Sequence, residues 1–200
     1  LYVSEVPGWK ENTNAMFSAL DNFGLEILSA IAMHLKLDPR FFDETVQDGN
    51  SILRLLHYPP QTEPPPEGSV RAGAHEDINV ITLLLGAEEA GLQLQTAEGD
   101  WLDVNPPEGA LVVNVGDMLQ RLTNNVLRST THRVVNPPSP YAEVPRYSIP
   151  LVGADFERRH AEDLGGRRAV HVLALREGFE QARVLREVRH DAQLDLRIVG

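Results

Sequence analysis

From Ser51 to Pro150 the chain is a succession of short runs rich in Val, Leu, Ile and Thr, broken at close intervals by Gly, Pro, Asn and Asp. Runs of this length are too short for helices and read as strands separated by turns. Strands are expected over residues 52–58, 78–85, 92–96, 101–104, 110–115, 127–135 and 146–151, and Glu98-Gly99-Asp100 has the composition of a hairpin turn. Ahead of them, Met16, Leu20, Phe23, Ile27, Ile31 and Leu35 recur at steps of three or four, which predicts a helix over 12–37 with one buried face and Asn12 or Thr13 as its cap. Asp38-Pro39 suits an N-cap followed by a first-turn proline, so a second short helix should run through Phe42 and Val46. A further helix is expected over 118–125, capped by Asp117. The fold class is mainly β with flanking helices: an antiparallel sandwich or barrel with helices packed outside.

What such a fold can bind is narrowed by what the chain lacks. It contains no cysteine, which removes thiolate metal sites, disulfide scaffolds and cysteine nucleophiles. A net charge of -11 disfavours attraction to nucleic acid phosphates or anionic membranes, so the expected partner is a small molecule. No apolar run reads as a membrane span and no secretory signal is visible, so a cytoplasmic location is expected. Residues 1–150 carry 9 Lys+Arg against 20 Asp+Glu and all 14 prolines, whereas residues 151–200 carry 9 of each charge and no proline. The chain therefore reads as a core over 1–150 and a divergent C-terminal segment over 151–200. Phe179, Ala182, Val184, Leu185 and Val188 suit an amphipathic helix there, within 167–198. Oligomeric state has no signature.

Seven histidines are present, and most read as solvated or packed side chains: His34 in a helix, His57 in a strand, and His160, His171 and His190 in the charged tail. His75 differs because Asp77 follows two positions later, and in extended backbone residues so spaced project to one face. Alone, His-x-Asp is common by chance and describes a strand-end pair in water. His132 lies in a predicted strand that can return beside Asp77 in an antiparallel barrel. Two histidines and one carboxylate on one side of a metal form the facial triad of non-haem Fe(II) oxygenases, which leaves coordination positions open. Independently, Arg146 and Ser148 share a strand face, where a guanidinium and a hydroxyl can hold a carboxylate. Alone, Arg146 would read as an ordinary surface ion pair, worth about 0–1 kcal/mol.

These motifs occur in unbroken order: Arg71-Ala72-Gly73-Ala74-His75-Glu76-Asp77, Ile81-Thr82-Leu83-Leu84, Gly91-Leu92-Gln93, Val113-Asn114-Val115-Gly116-Asp117, His132-Arg133-Val134 and Arg146-Tyr147-Ser148. Over about residues 10–150 the chain resembles the isopenicillin N synthase-like branch of the Fe(II)/2-oxoglutarate-dependent dioxygenases. The resemblance implies a double-stranded β-helix, the cupin-like jelly roll, with Fe(II) held by His75, Asp77 and His132. It implies that Arg146 and Ser148 grip the far carboxylate of 2-oxoglutarate. It also assigns Tyr58 to that carboxylate, with Leu56 standing where many relatives have asparagine. The implied activity is oxidation of a small molecule by dioxygen, as hydroxylation or desaturation, with release of succinate and carbon dioxide. Leu83 and Val113 are expected to line a dry site. Relatives of this branch carry a further N-terminal region and a different C-terminal continuation. Two alternatives stay open: an oxidase of the same branch that does not use 2-oxoglutarate, and a catalytically silent metal-binding module.

Overall fold

A computed structural model describes residues 3, 5–47, 49–86, 90–107 and 109–153. The expected amphipathic helix over 167–198 lies outside the described residues. Helix α1 (Trp9–His34) and the single turn α2 (Asp43–Val46) lead into β1 (Ile52–Leu53), β2 (Leu56–Tyr58), β3 (Ala72–His75), β4 (Ile81–Leu85), β5 (Leu92–Gln95), β6 (Trp101–Asp103) and β7 (Val112–Val115). Helix α3 (Asp117–Leu122), β8 (His132–Val134), a 3-10 turn (Tyr141–Glu143) and β9 (Arg146–Val152) complete the described part. Every strand pairing is antiparallel. One sheet runs β1-β9-β4-β7 with β2 also on β9, and the second runs β3-β8-β5-β6. Two antiparallel sheets packed face to face give the jelly roll that the resemblance implies.

The first sheet is covered on both sides. Its outer face meets α1 in a core that holds Leu20, Leu28 and Ile31 of the helix with Ile81, Leu83, Val113 and Leu151 of the strands. Its inner face contributes Leu84 and Val112 to a second core, where Leu92, Leu94 and Val134 of the other sheet meet them. Leu83 and Val113 thus pack under α1 and do not face the space between the sheets; Leu84 and Val112 take the place expected of them. By length and composition α1 could cross a membrane, contrary to the sequence reading, but its buried residues lie in this helix-sheet core.

Element ends differ from expectation for local reasons. Helix α1 starts at Trp9 after Gly8, whose φ of 75° sets the entry turn, and Thr13 lies inside the helix, its hydroxyl donating to the Trp9 carbonyl at 2.8 Å. Asp38 does accept from the Arg40 N–H at 2.8 Å, so it caps the turn ahead of α2. At α3, Gly116 occupies the cap position, and Asp117 pairs instead with Arg121 at 2.9 Å. The hairpin at Glu98-Gly99-Asp100 joins β5 to β6.

Candidate metal centre and acid anchor

β3 is a strand that the hydrophobic pattern does not announce, because Ala72-Gly73-Ala74-His75 carries little apolar bulk. Its register with β8 explains how it serves the site. Ala72 pairs with Val134 and His75 with His132, so three steps on β3 match two on β8. The extra residue is a β-bulge, and bulges re-aim side chains. Without it, Ala72 and His75 would point to opposite faces; with it, both point where Val134 and His132 point. On β8's other side Leu92 pairs with Val134 and Leu94 with His132, so the two imidazoles extend the apolar row between the sheets.

Asp77 lies just beyond β3, in the irregular connection to β4 rather than in the strand. Three backbone hydrogen bonds hold that connection against the start of α3: Asp117 N–H to the Asp77 carbonyl at 2.9 Å, Met118 N–H to Asn79 at 3.1 Å and Gly116 N–H to Val80 at 3.0 Å. The buried amide of Asn79 adds a bond from its Nδ2 to Thr82 Oγ1 at 2.7 Å. Gly116 is required here, since a β-carbon on it would overlap the carbonyl oxygen and Oδ1 of Asn79.

The three side chains meet. Asp77 Oδ1 lies 3.9 Å from His75 Nε2 and 3.7 Å from His132 Nε2, and one ligand atom from each residue falls within 4.8 Å of the others. The side chains are graded in exposure: 48% for His75, 16% for Asp77 and 9% for His132. His75 Nδ1 lies 2.7 Å from the Gly73 carbonyl and His132 Nδ1 lies 3.1 Å from the Thr130 carbonyl. A carbonyl only accepts, so Nδ1 is the donor in each contact, and in a neutral imidazole Nε2 then holds the lone pair on the Asp77 side. Backbone carbonyls of this kind orient metal-binding imidazoles. The second oxygen of Asp77, Oδ2, is buried and has no hydrogen-bond partner among the described residues. A donor set of two neutral imidazoles and one carboxylate, open on one flank, fits a ferrous ion.

The candidate acid anchor, Arg146 and Ser148, stands on the other sheet. Leu84 faces the inter-sheet core and pairs with Pro150, so Ser148 and Arg146, at steps of two along β9, share that face. Both are 2% exposed. Tyr147, between them, points outward and stacks on exposed His57 at 4.8 Å between ring centroids, so His57 is a surface residue. On β2, Tyr58 pairs with Arg146 and Leu56 with Ser148, and the Arg146 guanidinium carbon lies 5.1 Å from the centre of the Tyr58 ring. The residues singled out in the sequence therefore form two groups, His75-Asp77-His132 and Tyr58-Arg146-Ser148, on facing sheets. Sequence reasoning misses the Gly73 and Thr130 carbonyls and the Asn79-Gly116 contact; a backbone acceptor leaves no side-chain signature, and the local pattern marks Gly116 only as the start of a helix.

Comparison with known proteins places these features in company. Residues 49–152 match the 2OG-Fe(II) oxygenase superfamily. The chain is 38% identical over 151 residues to the 2-oxoglutarate-Fe(II) type oxidoreductase hxnY of Emericella nidulans, a match covering 74% of this chain and 42% of that protein. It superposes on a solved 2OG-Fe(II) oxygenase family protein of Caulobacter crescentus with a TM-score of 0.70 and 56% identity, covering 78% of this chain and 50% of that one. On a full-length Neurospora crassa protein solved in complex with alpha-KG and thymine the TM-score is 0.71 at 38% identity, covering 78% of this chain and 48% of that one. The chain spans half or less of each of these three proteins.

Proposed function

The chain belongs to the 2OG-Fe(II) oxygenase superfamily, and from that premise we propose that residues 1–150 form the catalytic core of an Fe(II)- and 2-oxoglutarate-dependent dioxygenase acting on a small molecule. The observation that carries this reading is the convergence of His75 Nε2, His132 Nε2 and Asp77 Oδ1 with both Nδ1 atoms committed to carbonyls. A structural metal site would close its shell with a fourth protein ligand; among the described residues the group has three. The solved Neurospora crassa complex with alpha-KG and thymine supports a small-molecule substrate.

In this reading His75, Asp77 and His132 are the metal ligands, and Arg146, Ser148 and Tyr58 hold the far carboxylate of 2-oxoglutarate. Bound iron would supply the coupled oxidation, in which 2-oxoglutarate loses carbon dioxide to become succinate while a substrate C–H bond is oxidised by dioxygen. The protein's share is positional. Asp77 contributes the one negative charge to the metal; the Gly73 and Thr130 carbonyls hold each imidazole in the tautomer that presents Nε2. Arg146 and the Ser148 hydroxyl donate to the carboxylate from a buried face, where a charge-assisted hydrogen bond is stronger than in water. Leu92, Leu94 and Val134 exclude water beside the histidines.

The test is release of labelled carbon dioxide from 2-oxoglutarate carrying the label at its first carbon, by iron-loaded protein in air. Label release matched by succinate is the expected result. Substrate oxidation without succinate would assign the oxidase instead, and iron binding with neither product would assign the silent module.

A further inference from the structure

Arg71 stands directly before β3, four residues ahead of His75. Its Nη2 is buried with no hydrogen-bond partner among the described residues, and it forms no ion pair with a described carboxylate. Its guanidinium carbon lies 5.6 Å from the centre of the Tyr58 ring, the same ring that Arg146 approaches at 5.1 Å. Two cations, one from beside the metal-binding strand and one from β9, therefore converge on one tyrosine. A buried N–H donor without an acceptor is unfavourable. An anion with several acceptor oxygens, seated beside the Tyr58 ring, would supply the acceptor that Arg71 Nη2 lacks. Position 56, beside Tyr58 on β2 and opposite Ser148, is leucine and offers no polar side-chain atom, so β2 brings only the tyrosine hydroxyl to such an anion.

We propose that Arg71 is a further binding residue for the far carboxylate of 2-oxoglutarate, donating from Nη2 while Arg146 donates from the facing strand. A carboxylate has lone pairs enough for both guanidinium groups, the Ser148 hydroxyl and the tyrosine. The inference rests on the functional reading above, and it adds a specificity: Arg71 selects for a 2-oxo acid with a second carboxylate.

The experiment is anaerobic calorimetric titration of the Mn(II)-loaded chain with 2-oxoglutarate and, separately, with 2-oxobutyrate, which chelates alike but lacks the far carboxylate. Arg71→Gln should weaken 2-oxoglutarate on the order of 10–100-fold, the range for a charge-assisted hydrogen bond, and leave 2-oxobutyrate within about twofold. Should Arg71→Gln not fold, Arg71→Lys decides: a single ammonium cannot reproduce the planar fork, so a several-fold loss confined to 2-oxoglutarate is expected. Wild-type affinity for 2-oxoglutarate in the variant, or equal loss for both acids, overturns the proposal while the functional reading stands. If the unaltered chain binds Mn(II) but not 2-oxoglutarate, the functional reading itself falls and takes the proposal with it.

Discussion

The two sheets of this jelly roll solve the same burial problem differently. The first is covered twice, by α1 outside and by its partner sheet inside, and its strand β4, Ile81-Thr82-Leu83-Leu84-Leu85, is apolar at every position but Thr82. Among the described residues the second has one covered face, and its strands alternate: Leu92 and Leu94 are buried while Gln93 and Gln95 are less so, and Arg133 sits between buried His132 and Val134. Arg146 and Ser148 of the proposed acid anchor stand in the doubly covered sheet and are almost wholly buried; the histidines proposed to bind metal stand in the half-covered sheet, one of them half exposed. The proposed anchor thus presents Arg146 and Ser148 from a buried inner face, with exposed Tyr147 between them on the outer one, whereas the metal end depends on a bulge and hydrogen-bonded backbone and keeps one flank accessible.

The difference is broken most completely at the metal end. Replacing Asp77 by alanine removes the only negative charge from the triad. Metal affinity should fall by more than the roughly 10–100-fold that loss of an outer hydrogen-bond partner costs, while the melting temperature of the metal-free protein changes little. Calorimetry with Mn(II) and a thermal melt of the apo form check the two halves; a large loss of apo stability would show that Asp77 is structural first.

At the covered sheet the prediction inverts. Leu83→Ala deletes a side chain that is 1% exposed beneath α1 and should cost about 2–5 kcal/mol, seen as a fall of roughly 10 °C in the melting midpoint. Metal affinity below the transition should stay within about twofold. Leu94→Ala is the sharpening control, because Leu94 pairs with His132 on the inner face; it should cost a similar stability and also loosen the metal several-fold. Equal metal affinity in both variants would mean that the two faces do not divide the work as described.

This division also explains what can be read from sequence and what cannot. β5 and β8 alternate, so their inner residues, His132 included, follow from parity. β4 and its neighbour β7 carry bulky apolar residues on both faces, Leu83 and Val113 outside and Leu84 and Val112 inside, so apolar character alone does not tell Leu83 from Leu84, and the expected lining residues fall one step out of register. The triad is legible because metal chemistry restricts residue types and the His75-x-Asp77 spacing survives the irregular connection that replaces the expected strand. β3 is not legible, since its role rests on a bulge and backbone bonds and not on apolar side chains.

Gly116 tests whether the connection that carries Asp77 is held as tightly as the packing indicates. Gly116→Ala would drive a β-carbon into the backbone oxygen and Oδ1 of Asn79, so the segment from Asp77 to Val80 must shift away from α3. Overpacking of this kind costs about 1–3 kcal/mol. The shift should also weaken Mn(II) about tenfold, less than the loss of Asp77 itself because all three ligands remain. A destabilised protein with unaltered metal affinity would detach the connection from the site.

The smallest effect is expected on the outer face of the second sheet, one residue from a metal ligand. Arg133 lies over the Trp101 ring at 3.9 Å, and its Nε donates to Gln93 Oε1 at 2.8 Å. Gln93 in turn donates from Nε2 to Asp103 Oδ1 at 3.0 Å, so β8, β5 and β6 are tied across their outer surface. A cation over an indole at a partly exposed site is worth about 0.5–1 kcal/mol, and Arg133→Ala should lower stability by about that much. Because adjacent strand residues project to opposite faces, His132 should keep its orientation and Mn(II) its affinity within about twofold. A tenfold loss of metal in this variant would mean that the imidazole is positioned through the strand's outer surface as well as by Leu94 and the Thr130 carbonyl, and the half-covered sheet would then hold its ligands from both sides.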